Sequence, residues 1–170
     1  MNPFKQFLAL MLFLTSSGLI NGQEYDIIIH NGRLIDGSGN PWYGADVGIL
    51  NDRITKIADL SEAKANLVID ASGLIVSPGF IDPHTHALRG IFDVPNAESA
   101  LLQGVTTLTE GNDGSSPFPI GGHFQDILEK KISPNWGVFV GQGTIRSAVI
   151  GSEEREPNDE EMIRMKNMVR

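Results

Sequence analysis

The pattern of the 170-residue chain changes at Ser77-Pro78-Gly79, and this change limits the fold more than any other feature. Before it, short apolar and β-branched runs alternate with turn signals such as Asn31-Gly32, which predicts a β-hairpin. We therefore predict a small antiparallel sheet or sandwich over residues 23–77. After it, we predict strands and helices in alternation, at residues 80–82, 97–103, 105–110, 123–131 and 136–140. This alternation is typical of parallel βαβ units, so the expected class is α/β.

Two helix starts carry capping signals. We expect Asn96 to cap the helix at 97–103, and Asn158 to cap a later helix with Glu161 three residues on. This later helix has no glycine or proline to end it before Arg170. We therefore expect the sequence to be cut within a helix.

Composition excludes several classes of protein. The net charge of -8 argues against a nucleic-acid surface, which needs clustered Lys and Arg. The absence of cysteine excludes disulfides, thiolate metal sites and cysteine nucleophiles. Hydrophobic content of 41% is ordinary for a folded protein and argues against whole-chain disorder.

The first 22 residues are predicted to be a secretory signal peptide. Lys5 precedes an apolar run at residues 7–14, and small or polar residues follow as far as Gly22. The run is much shorter than the ~20 residues that cross a bilayer, so we expect no stable membrane span after signal removal. The alternative is a buried N-terminal helix. We expect an exported protein, periplasmic or secreted.

The candidate chemistry lies at His84 and His86. In a strand, residues i and i+2 point to the same side, about 6.6 Å apart along the backbone, so two imidazoles can bind one metal ion. The alternative is two histidines that pack or face solvent. Asp82 could fix a nearby backbone group or orient a ligand imidazole, or it could simply cap the strand end.

Two carboxylates lie at the end of the next predicted strand and in the turn after it. Glu110 and Asp113 could supply an oxygen ligand to the same metal, although Asn112-Asp113-Gly114 also fits a polar turn. His30 and His123 are expected to be structural or exposed.

Four segments carry a family resemblance. Residues 77–86 (SPGFIDPHTH) resemble the first barrel strand of the amidohydrolase superfamily, and residues 26–37 resemble the opening of its small β-sandwich. Residues 104–114 and 141–146 are similar to the second and third barrel strands of the D-aminoacylase branch. The resemblance implies that residues 78–170 form the start of a metal-dependent (β/α)8 TIM-type barrel, incomplete in this chain.

The resemblance also implies an activity. The expected enzyme is a hydrolase of non-peptide carbon–nitrogen bonds that deacylates N-acyl-D-amino acids, with one or two divalent ions such as Zn²⁺ activating water. His84 and His86 match two zinc ligands. Asp113 stands where the branch has a ligand cysteine, with Glu110 as the alternative, and Gln142 stands where histidine is common. The general acid/base aspartate is expected beyond residue 170, so we expect the 170-residue segment alone to be inactive and poorly folded.

Other functions remain open. The metal motif also suits hydantoinases, dihydroorotases and isoaspartyl dipeptidases. A secreted, metal-free binding module is a second class, and a structural or adhesive envelope protein is a third. In every enzymatic case the expected partner is a small-molecule amide.

Overall fold

The computed structural model describes residues 24–170, and the predicted signal peptide lies outside the described residues. The chain divides into two compact units, with the boundary between Pro78 and Gly79. Among the described helices, none combines the length and the apolar character that a bilayer crossing requires.

Short strands joined by turns build the first unit. The strands are β1 (Tyr25–His30), β2 (Arg33–Leu34), β3 (Tyr43–Gly44), β4 (Asp46–Leu50), β5 (Arg53–Ala58), β6 (Ala65–Asp70) and β7 (Ile75–Val76). They form a four-stranded sheet in the order β5-β4-β1-β6 and a three-stranded sheet in the order β3-β2-β7. The β1–β6 and β2–β7 pairs are parallel, so both sheets are mixed and the expectation of purely antiparallel pairing was wrong.

The predicted hairpin at Asn31-Gly32 is also wrong, because β1 and β2 belong to different sheets. The Asn31 backbone N–H donates to Asp46, and its side-chain amide donates to Asp70, each at 3.0 Å. These non-local bonds, rather than a partner strand across the turn, determine the conformation of Asn31.

The second unit alternates strands and helices. Its strands are β8 (Phe80–Asp82), β9 (Val105–Glu110) and β10 (Asn135–Val138), and its helices are α1 (Glu98–Leu101), α2 (Ile120–Lys130), α3 (Gln142–Ile150) and α4 (Asp159–Met168). A 3-10 turn, Ala87–Arg89, follows β8. The strands pair in parallel in the order β10-β9-β8. This confirms the predicted α/β class: a β-rich unit followed by the first strands and helices of an incomplete barrel.

The helix starts test the capping predictions. The Asn158 side chain accepts a hydrogen bond from the Glu161 N–H at 2.9 Å, and the Glu161 carboxylate accepts one from the Asn158 N–H, so the predicted capping box is confirmed. Asn96 does not cap α1, which begins after Ala97 in the left-handed conformation without a side-chain cap. Helix α3 was not predicted: residues 141–146 were likened to a third barrel strand, but that strand is β10 and residues 142–146 begin the helix. Glycine and threonine in this segment are poor helix formers.

Candidate metal centre

The two candidate histidines follow β8 directly. The ring centroids of His84 and His86 lie 5.6 Å apart. Both side chains are about half exposed, at 55% and 56%. They are therefore side by side and accessible, as the i, i+2 spacing predicts.

Asp113 lies against both rings. Its Oδ1 is 3.0 Å from the Nε2 of His84, and its Oδ2 is 3.2 Å from the Nε2 of His86. Each of the three residues offers a ligand atom within 4.8 Å of the others. Across residues 24–170, no other set of three or more His, Cys, Asp and Glu side chains comes this close.

The separations fit a metal ion of the size of zinc. Ligand bonds of about 2.0–2.1 Å around a tetrahedral ion place neighbouring ligand atoms about 3.3 Å apart. The distances of 3.0 and 3.2 Å between the imidazole nitrogens and the Asp113 carboxylate oxygens are close to this ligand-to-ligand distance. Two imidazoles and one carboxylate are a donor set that first-row divalent ions accept.

The loop after β9 turns sharply to bring Asp113 to this position. Gly111 has a φ of 91°, in the left-handed region, and a Cβ there would collide with the carbonyl oxygen of Phe139. Only glycine avoids both the strain and the collision. The Asn112 side-chain amide donates to the Pro83 carbonyl oxygen, which joins the loop to the histidine segment.

Asp82 binds backbone rather than an imidazole. Its Oδ1 accepts the His84 N–H at 3.1 Å, and its carbonyl oxygen accepts the Thr109 hydroxyl at 3.0 Å. Of the roles considered from the sequence, the structure shows the one that fixes the backbone at the strand end.

Glu110 lies outside the cluster. Its side chain is buried, and its Oε1 accepts hydrogen bonds from the Thr85 hydroxyl at 2.6 Å and the Leu88 N–H at 3.1 Å. The structure thus brings His84, His86 and Asp113 together and gives Glu110 different partners. The strand spacing predicts that Thr85 faces away from the two histidines, but sequence reasoning assigned it no role; the structure shows its hydroxyl in contact with Glu110 and with the Thr109 carbonyl oxygen.

His123, His30 and Gln142 lie outside the cluster and make other contacts. Buried His123 accepts a hydrogen bond at Nε2 from the Trp136 indole N–H at 2.9 Å, and burial lowers the pKa of His123. The Nδ1 of His30 lies 3.0 Å from the Oδ2 of Asp46. Gln142 begins α3 and lines an apolar cavity of about 220 Å³ instead of joining the three clustered groups.

Comparison with known proteins agrees with the predicted resemblance. The model of the amidohydrolase family matches residues 67–143. D-aminoacylase from Alcaligenes xylosoxydans xylosoxydans is 36% identical over 171 residues, covering 87% of this chain and 35% of the relative.

Solved structures agree as well. N-acyl-D-glutamate deacylase from Bordetella bronchiseptica, complexed with zinc and a phosphonate inhibitor, has a TM-score of 0.79 at 30% identity, over 85% of this chain and 35% of that one. A D-aminoacylase structure described with a binuclear metal centre has a TM-score of 0.73 at 34% identity, with the same coverage of 85% and 35%. The chain spans about a third of the length of these relatives. By its strands, these matches and its fold, the chain is similar to proteins of the amidohydrolase family, and its described part resembles D-aminoacylases.

Proposed function

We propose that the protein is a metal-dependent hydrolase that removes the acyl group from N-acyl-D-amino acids. The observation that carries this proposal is the cluster of His84, His86 and Asp113, in which two imidazoles and one carboxylate share a space of metal-site dimensions. Support for the substrate class comes from the likeness to D-aminoacylase and N-acyl-D-glutamate deacylase. Because the chain spans about a third of such proteins, the proposal concerns the whole protein.

In this proposal His84, His86 and Asp113 hold zinc, as one ion or as part of a pair. A bound zinc ion supplies a Lewis acid that polarises the acyl carbonyl and lowers the pKa of water. The chain's own contribution is orientation: Asp82 fixes the His84 backbone, and Asn112 ties the Asp113 loop to Pro83.

The ligand atoms of the cluster indicate which divalent ions it can bind. With no cysteine in the chain, the third protein ligand is a hard carboxylate oxygen instead of a soft thiolate. Hard oxygen ligands broaden the range of acceptable divalent ions towards Mn²⁺ and Co²⁺. We therefore propose zinc as the resident ion, with these ions able to replace it.

The activity is tested on the full-length protein with N-acetyl-D-amino acids, their L-enantiomers, hydantoin and dihydroorotate as substrates. We expect hydrolysis of the D-acyl compounds, bound zinc by elemental analysis, and loss of both in the His84→Ala variant. Asp93→Asn is the matched control, since Asp93 is exposed and lies outside the cluster. Preferential opening of hydantoin or dihydroorotate would instead favour one of the other amidohydrolase activities. A metal-free protein unaffected by His84→Ala would favour a binding module.

Export is part of the proposal. It is supported by the basic start, the apolar run at residues 7–14 and the small residues as far as Gly22. Amino-terminal sequencing of protein from the periplasm or medium should begin near Gln23. Recovery of the protein only from the cytoplasm, with Met1 intact, would contradict it.

A further inference from the structure

We propose that Glu110 is a positioning residue that holds the metal-binding histidine segment in place through Thr85 and Leu88. This inference rests on the proposed metal site. It assigns to Glu110 a task other than metal ligation.

The geometry begins with side-chain alternation. His84 and His86 face Asp113, whereas the hydroxyl of Thr85 between them contacts the buried Glu110 and the Thr109 carbonyl oxygen. The Thr85 hydroxyl oxygen lies 2.6 Å from the Oε1 of Glu110, a length typical of a charge-assisted hydrogen bond. One face of the segment is thus available to a metal ion, and the other is anchored to Glu110.

A second bond reaches the same carboxylate oxygen from the other side of His86. The Leu88 N–H, in the 3-10 turn, donates to the Oε1 of Glu110 at 3.1 Å. Glu110 therefore binds the residue before His86 and the second residue after it. One carboxylate oxygen of Glu110 therefore bonds on both sides of His86, and the Thr109 carbonyl oxygen adds contacts with the Thr85 N–H at 3.0 Å and the Thr85 hydroxyl at 2.9 Å.

Glu110 is itself held in place by the sheet. Glu110 is the last residue of β9, aligned with Val138 of β10, and its carbonyl oxygen accepts the Phe139 N–H at 2.8 Å. Its side chain is 5% exposed. A buried carboxylate is costly unless it is hydrogen-bonded, so Glu110 favours the arrangement in which Thr85 and Leu88 satisfy it.

The expected consequence is a loss of metal affinity when the link is removed. Residues that orient metal ligands without touching the metal change affinity by about 10–100-fold when they are mutated. We expect Glu110→Leu, which removes the acceptor, and Thr85→Val, which removes the donor at constant shape, to weaken zinc binding by that factor. Glu110→Gln keeps an oxygen acceptor and should stay within about threefold of the wild type.

The experiment compares these three variants of the full-length protein by competition for zinc with a chelator. Amide hydrogen exchange across residues 84–88 of the metal-free protein is the second readout. Exchange at Leu88 should accelerate in Glu110→Leu but remain slow in Glu110→Gln. Combining Glu110→Leu with Thr85→Val should weaken zinc binding little beyond Glu110→Leu alone, because both remove the same link.

Three results would overturn the proposal. They are unchanged zinc affinity in Thr85→Val, unchanged exchange at Leu88 in Glu110→Leu, and a loss in Glu110→Gln as large as in Glu110→Leu. Should Glu110→Leu fail to fold, Thr85→Val and Glu110→Gln decide the question. A wild-type protein that binds no zinc refutes the proposed function, whereas the exchange measurement on metal-free protein still tests Glu110.

Discussion

Replacing Asp113 with asparagine separates the charge of the third ligand from its shape. Asparagine preserves the side-chain length and one oxygen atom, so the contacts that hold the loop, such as that between Asn112 and Pro83, remain available. What the variant loses is one negative charge, 3.0 and 3.2 Å from the two imidazole nitrogens.

The size of the effect follows from Coulomb's law. Asp113 is 57% exposed, so a water-like dielectric constant is the conservative choice. A unit charge about 2.1 Å from a divalent ion then contributes about 4 kcal/mol at a dielectric constant of about 80. Since about 1.4 kcal/mol corresponds to a factor of ten, zinc should bind roughly a thousandfold more weakly to Asp113→Asn.

Chelator competition at constant pH measures this difference directly, with Asp93→Asn as the control for loss of one exposed carboxylate of the same unit. Thermal unfolding of the metal-free proteins verifies that Asp113→Asn leaves the fold intact. Zinc affinities of Asp113→Asn and Asp93→Asn that agree within threefold would show that Asp113 is not a ligand.

Three further predictions concern stability. Folding lowers the pKa of His123 below 6.5, so the unfolded chain binds a proton at this residue more readily. The free energy of unfolding should therefore be fully retained above pH 6.5 and decline as the pH falls below it. Urea unfolding across pH would show this decline, which should be smaller in His123→Gln. Gly111→Ala should destabilise the protein by about 1–3 kcal/mol in denaturant unfolding, because alanine is strained at a φ of 91° and its Cβ meets Phe139. Asn158→Ala should remove about 1 kcal/mol from the capping box and accelerate amide exchange in the first turn of α4, whereas Asn158→Ser should not.

The parts of the fold that were predicted correctly depend on local signals. Strand β9 is a β-branched run bounded by glycines, and the Asn158–Glu161 capping box lies within four consecutive residues. The errors have non-local causes. The pairing of β1 with β6 joins residues forty positions apart, such as His30 and Asp70, and no turn signal records it. Helix α3 forms despite weak propensity, with Ile145 and Ile150 buried in the unit.

The candidate site was partly predictable for a similar reason. The i, i+2 spacing correctly predicted that His84 and His86 lie side by side, although the structure ends β8 at Asp82 and places both histidines after the strand. The position of Asp113 depends on how the loop after β9 turns. That turn requires the close approach of Gly111 to Phe139, a residue from a different strand end. Spacing along the sequence could therefore nominate Asp113 but could not place it.

Glu110 and Asp113 show how position relative to a strand end separates two carboxylates that the sequence treats alike. Glu110 is still in β9, so the alternation of side chains along the strand determines which way its side chain points. That side chain is buried and accepts the Thr85 hydroxyl. Asp113 lies past Gly111, where the chain has left the strand and can turn its carboxylate towards the open side of the histidines. A single His-Thr-His segment therefore meets one carboxylate on each face, one suited to hold a metal ion and one suited to hold the segment. Exchanging the two tasks would require inverting the alternation of β9, which the pairing of its Leu108 with Trp136 of β10 prevents.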